Sequence, residues 1–166
     1  EGLAQSADVS RAMLSRIERG ESSPTAQLLA KICRGLGTTL SVLFSATEAP
    51  ASPLARRCDQ PVWRDPGSGY LRRNVSPPGT GSPVDIVEVE FPPGQSVALD
   101  NLRLSGVDQH VWVLDGQLEM TVGDEVFSLG TGDCIMMLLD RPTGFRNRTD
   151  RMVRYAVIIS RGVHTP

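Results

Sequence analysis

Apolar and polar positions change rhythm once along the chain, near residue 50. Before that point they recur at helical spacing. Leu28, Ile32 and Leu36 stand four apart, with Leu29 and Cys33 beside them, which predicts a helix with one inward stripe. Ser23-Pro24 suits its start, and Gly35 and Gly37 suit its stop. A shorter helix is expected over 40–44, capped by Thr38 or Thr39. Upstream, Leu3, Ala4 and Ala7 make the inner side of a short helix, and Asp8-Val9 makes a turn. A second helix is expected to follow Ser10 as its cap and to run to Arg19, where Gly20 stops it. Leu14 and Ile17, joined by Val9, form its inner face; Arg11, Ala12, Ser15 and Arg16 form its outer one.

Past the Pro- and Ala-rich stretch 47–53 the rhythm becomes that of strands. Val87, Val89 and Phe91 alternate with Glu88 and Glu90, a period of two. The runs 111–114 and 117–122 flank Asp115-Gly116, a type I′ hairpin signal. Gly123-Asp124 predicts a second tight turn before a strand over 125–129. The apolar run 134–139 and the segment 151–160 predict two more strands, with Cys134 buried and inert. Residues 59–83 read as loops with one strand over 70–75. Short strands between turns predict an antiparallel sandwich or barrel. The domain division is then a helical head over 1–46, a linker over 47–58 and an all-β unit over 59–166.

A length of 166 residues suits one ordinary domain or two small ones. Charged residues at 22% and apolar ones at 40% fit a globular chain. No apolar run approaches the roughly 20 residues that span a bilayer, and no signal-peptide pattern appears, so a cytoplasmic protein without membrane partners is expected. The chain opens at Glu1 without a methionine, which points to a longer parent sequence. Three well-separated cysteines, Cys33, Cys58 and Cys134, argue against a disulfide framework or a paired-cysteine zinc motif. The formal charge of −2 is unevenly spread. Residues 1–45 hold five basic and four acidic side chains, 46–84 hold five and three, and 85–166 hold seven and twelve. The front can approach a phosphate backbone that would repel the back. Chance scatter would also give such a pattern.

A helix whose first turn is polar and cationic can enter the major groove. Ser10 and Ser15 can bond phosphates. Residues 3–44, through VSRAMLSRIERGESSPTAQLLAKICRGLGTTLSVLF, strongly resemble the lambda-repressor-like family of Cro/C1 or XRE type. The resemblance implies DNA-binding by Ser10, Arg11, Ala12, Ser15 and Arg16. It departs from the family in placing Asp8 where glycine is usual, and in lacking a helix before Leu3. Aspartate tolerates the left-handed conformation that such a turn demands. Arg19 reads as a solvated charge, and Glu18 as an internal partner for an arginine.

The strand-rich half, over about 84–160, resembles the cupin family. Its two motifs place metal ligands near Arg103 and Ser105, at Gln109 and at Thr143, while Gly116, Gly132 and Asn147 match the pattern's structural positions. Arginine stays protonated and the other three are weak neutral ligands, so neither metal nor cofactor is expected. The only histidines are His110 and His164, and His110 falls on the opposite sheet face from Gln109. The family's barrel then implies an effector pocket of Arg103, Gln109, Trp112, Met136 (or Met137) and Thr143, with Arg103 available to a carboxylate. Trp112 and the methionines equally suit plain core.

The two resemblances together imply an α+β two-domain chain. An all-α lambda-repressor-like helix-turn-helix domain precedes an all-β cupin, a double-stranded β-helix or jelly-roll barrel. The implied function is that of a bacterial sequence-specific transcriptional regulator without catalytic residues. Its expected partners are double-stranded DNA carrying a pseudo-palindromic operator, a second copy of itself and a small-molecule effector, with the 47–53 linker as transmitter. A cupin enzyme with a DNA-binding head, and a dimeric interaction module without effector, are the alternatives.

Overall fold

The N-terminal helices form because short apolar stripes meet good caps. The computed structural model describes residues 2–45, 52–100 and 106–161. Helix α1 (Gly2–Ser6) leads through a turn to α2 (Arg11–Glu18), where the Ser10 hydroxyl accepts from the Met13 N–H as expected of a cap. Asp8 in that turn is left-handed, at φ 53°, and its carboxylate pairs with Lys31 at 3.1 Å. Helix α3 (Ala26–Leu36) is capped by Thr25 rather than by Ser23-Pro24, and Gly37 closes it at φ 65°. Its buried side is Ala26, Leu29, Ala30, Ile32 and Cys33. Leu28 is half-buried and Leu36 is exposed, so the predicted four-residue stripe is rotated by about one position. Gly35 lies within α3 rather than at its stop. A Cβ there would sit 2.9 Å from the Ala7 Cβ, so the missing side chain is what lets α1 lie against α3. Helix α4 (Leu40–Ser45) starts at Thr39, whose hydroxyl accepts from Val42 N–H.

The strands follow: β1 (Val62–Arg64), β2 (Leu71–Asn74), β3 (Val84–Phe91), β4 (Ser96–Leu99), β5 (Val107–Asp115), β6 (Gln117–Val122), β7 (Glu125–Gly130), β8 (Cys134–Leu138), β9 (Thr143–Arg146) and β10 (Val153–Arg161). They make a six-stranded sheet of order β1-β2-β3-β10-β5-β8 and a four-stranded sheet of order β4-β9-β6-β7. All pairs are antiparallel. Phe91, Leu118, Met120, Val87, Val111, Val113 and Val153 are fully buried between the sheets. Each such side chain contributes about 1.5–3 kcal/mol of transfer free energy.

Two strand expectations are corrected. Residues 59–83 hold two strands, β1 as well as β2. Asp115-Gly116 is no hairpin turn, because β5 and β6 belong to different sheets. Gly116 instead carries the chain across at φ 94°, so close to β10 that a Cβ would lie 3.2 Å from the Met152 carbonyl. Gly123-Asp124 does join a hairpin, with Val122 opposite Glu125.

Head and barrel share a seam in which α3 meets β4 and α4 meets β2. Asp65, just after β1, is 2% exposed and accepts at 2.8 Å from the backbone N–H of Ala26, the first residue of α3. Aromatic rings continue the seam inward. Phe44 of α4 meets Trp63, Trp63 meets Tyr70, Tyr70 meets Phe91, and Phe91 meets Tyr155, at centroid distances of 5.4, 5.7, 5.6 and 6.3 Å.

Candidate functional site

Two surfaces carry chemistry, the outer face of α2 and a cavity in the barrel. On α2, Ser10, Arg11, Ala12 and Arg16 are exposed. Ser10 already spends its hydroxyl on the cap. Ser15 is half-buried and accepts a hydrogen bond from the Arg19 guanidinium, so it is less available to a phosphate than its spacing predicts. Arg19 is not simply a solvated charge. It pairs with Glu21 at 2.7 Å, and Glu21 rather than Glu18 is its chief partner. The hydrogen bond to Glu21 raises the Arg19 guanidinium above its ordinary value and holds the Glu21 carboxyl below its own. The exposed cations of the reading face are then Arg11 in the first turn of α2 and Arg16 in its last.

The cavity, about 90 Å³, lies between the sheets beneath α3 and α4. Gln109 and Thr143 line it, as expected, and both are buried. Trp112 and Met136 do not: they are 47% and 53% exposed on the outer face. The reason is strand parity. Gln109, Val111 and Val113 alternate inward along β5, which leaves His110 and Trp112 outward. Met136 pairs with His110 and shares its outward face, while Met137 pairs with Gln109 and is buried. Cys134, opposite Trp112, is exposed rather than buried. Arg103, Ser105, His164 and most of the 47–53 linker lie outside the described residues.

Residues missed by sequence reasoning complete the cavity: Tyr70 and Arg72 from the barrel's start, Tyr155 from β10, and Cys33 and Thr39 from the head. Arg72 is 6% exposed. Its Nη2 donates to the Ser41 hydroxyl of α4 at 2.6 Å, and its guanidinium stands 5.9 Å from the Phe44 ring centroid. Its Nε is buried without an acceptor. Burial pulls the Arg72 guanidinium below its ordinary value, against the opposing influence of Tyr70 and Tyr155. Burial also pushes the Tyr70 hydroxyl up to about 12 and the Cys33 thiol up to about 11, so both stay protonated at neutral pH. Local pattern offers one partial clue to this set. Tyr70, Arg72 and Asn74 share a parity, but nothing local says that face is buried.

A cupin would ordinarily suggest a metal here, and these residues do not fit one. Gln109 and Thr143 are weak neutral donors, and Arg72 sets a fixed positive charge in the same cavity. No group of three or more His, Cys, Asp or Glu side chains suited to a metal occurs among the described residues. Asn147, at the second cupin motif's last position, is wholly buried and structural. Its amide donates to the Phe91 and Arg151 carbonyls and its oxygen accepts from Thr149.

The helix-turn-helix family model matches residues 1–43 and the cupin domain model matches residues 87–159. The chain is a DNA-binding transcriptional regulator that joins a helix-turn-helix domain to a cupin domain. Over 157 residues it is 29% identical to the HTH-type transcriptional regulator SutR of Escherichia coli strain K12, covering 95% of this chain and 83% of that one. The crystal structure of an HTH_3 family transcriptional regulator from Vibrio cholerae is 25% identical, with a TM-score of 0.73 over 95% of this chain and 84% of that one. A Cupin_2 domain of an XRE family transcriptional regulator from Enterobacter cloacae shares the barrel's fold, at 24% identity and a TM-score of 0.51 over 55% of this chain and 95% of that one. No helix is long and apolar enough to cross a membrane among the described residues.

Proposed function

We propose that this regulator is a cytoplasmic homodimer that reads a pseudo-palindromic operator through α2 and senses a small molecule in its barrel. The domain division runs as head over 1–46, linker over 47–58 and sensor over 59–166. The observation that carries the DNA-reading assignment is the pairing of a Ser10-capped helix start with exposed Arg11 and Arg16 on one face. One such helix reads only a few base pairs, so two heads related by a twofold axis are needed for a specific site. The barrel is read as non-catalytic, since its inward polar groups neither bind a transition metal well nor form a nucleophile–base pair.

The outer face of the six-stranded sheet supports the dimer. Ile86, Ile158, His110 and Met136 stand in one cross-strand row, and Trp112 pairs with Cys134 beside it. Ile86, Trp112, Met136 and Leu138 are all exposed there, and β8 is the sheet's edge. An apolar face of this kind is suited to a matching copy. Selection of genomic DNA by the parent chain is expected to yield half-sites spaced by about 34 Å or a multiple. Trp112→Glu combined with Met136→Glu is expected to give a folded monomer by light scattering, with binding reduced to that of one half-site. A double variant that stays dimeric would move the interface elsewhere.

A further inference from the structure

Arg72 is a buried cation that makes no ion pair among the described residues. Glu88 is taken by Arg57 at 3.0 Å and Arg154 at 2.7 Å, and Asp85, whose charge favours the Arg72 cation from beyond contact, is bonded to Arg161 at 3.0 Å. Asp100, which also lines the cavity, is largely exposed and faces Arg34 at 3.9 Å. Holding an unpaired guanidinium away from water is costly unless something compensates it, and arginine cannot shed its proton. One hydroxyl and one ring face compensate only part of that charge.

The geometry of what is left open is informative. Nε and Nη2 form one edge of the guanidinium, the fork that takes a carboxylate through two parallel bonds. Ser41 accepts from Nη2, and nothing accepts from Nε. Around it stand apolar walls from Val89, Phe91, Leu139, Val157 and Ile159, with Gln109 and Thr143 as further polar groups. A space of about 90 Å³ suits roughly four to six heavy atoms, given that about 150 Å³ accommodates benzene.

We propose that this cavity binds a short-chain organic carboxylate on the Nε–Nη2 edge of Arg72, and that binding displaces Ser41 and so loosens α4 from the barrel. The assignment rests on the sensor reading above and names its ligand class and its route. The route is the seam itself, since one guanidinium touches both the ligand space and the head. Such a ligand acts only through its different affinity for docked and loosened heads.

The test uses the parent chain with acetate, propionate and butyrate, their amides, and inorganic phosphate and chloride. Thermal unfolding and affinity for the selected operator are the readouts. The acids are expected to raise the unfolding midpoint with concentration and to change operator affinity, while the amides do neither. Arg72→Met is expected to weaken acid binding roughly tenfold or more and to remove the acid-dependent rise in midpoint. An acid-dependent rise that persists undiminished in Arg72→Met would overturn the proposal. Ser41→Ala is expected to keep acid binding and to lose most of the change in operator affinity. Amides that match the acids, or stabilisation by phosphate or chloride that persists in Arg72→Met, would also overturn it. If only neutral compounds bind, the sensor reading survives and the carboxylate assignment falls; if no compound moves either readout, both fall. Should Arg72→Met not fold, the acid-against-amide comparison on the parent chain decides.

Discussion

Replacing both Arg11 and Arg16 with alanine is expected to lower specific operator affinity by about 2–6 kcal/mol, a loss of roughly 30- to 20,000-fold. Each arginine that reaches a base edge contributes about 1–3 kcal/mol of discrimination, and the two sit more than one helical turn apart on an exposed face. Both side chains are exposed, so the unfolding midpoint should move far less than the operator affinity. Fluorescence anisotropy with operator and scrambled duplexes measures both the loss and its specificity. If one arginine contacts only phosphate, its replacement will weaken both duplexes alike and reduce the salt slope by about one. Unchanged affinity in the double variant would remove α2 from the reading surface. Ser15→Ala is a useful contrast. Its hydroxyl is engaged by Arg19, so its loss should affect binding less than either arginine.

The second large effect is expected at Asp65. Its carboxylate accepts from the Ala26 N–H at 2.8 Å, the Ser68 N–H at 2.8 Å and the Ser68 hydroxyl at 2.6 Å. Alanine there leaves buried donors unsatisfied at the first turn of α3, so a cost of about 2–4 kcal/mol is expected. The loss should fall on the head's attachment as well as on global stability. Limited proteolysis near residue 46 should therefore quicken along with the drop in midpoint. An unchanged midpoint would show that this bond contributes nothing to docking.

Acid should act through the same group. Burial alone would raise the Asp65 carboxyl, but hydrogen bonds from Ser68 and from the Ala26, Ser68 and Gly67 backbone outweigh it, so its folded value lies below the ordinary one. A depressed folded value means the contribution is complete above about pH 4, the unfolded carboxyl's range, and is lost as pH falls further through the folded value. The Asp65→Ala variant should lose less stability than the parent over that window.

Much of the fold was legible because local rules are sufficient for it. Ser10 before an apolar-polar helical pattern, Gly37 after one, and a period of two at 87–91 are each decided within a few residues. Asp8 shows the same: a left-handed turn position accepts aspartate for reasons contained in the residue itself. Misreadings came where a neighbour distant in sequence made the choice. Asp115-Gly116 carries a good hairpin signal, but β10 and β9 offered the adjoining strands other partners. Thr25 displaced Ser23 as cap because Asp65, forty residues on, supplies a second acceptor at that helix start.

The candidate site divides in the same way. The cationic face of α2 could be read from sequence, since a helix's exposed face follows from its period alone. Gln109 and Thr143 followed from motif positions. Trp112 was misplaced although strand parity already set it opposite Gln109, as it did His110; the face of Met136 depended on the β5–β8 register, which pairs it with His110. Arg72 could not be found that way. An arginine in a four-residue strand reads as a surface charge until α4 and the barrel interior close over its face. By itself, then, the sequence determined most of the elements and the ends at Ser10 and Gly37, and it marked α2 as the candidate DNA-reading helix, because those depend on contacts within a turn or two. Only the tertiary structure decided that head and barrel share a seam with a cavity and an unpaired cation in it. Burial and charge pairing are properties of segments brought together from far along the chain.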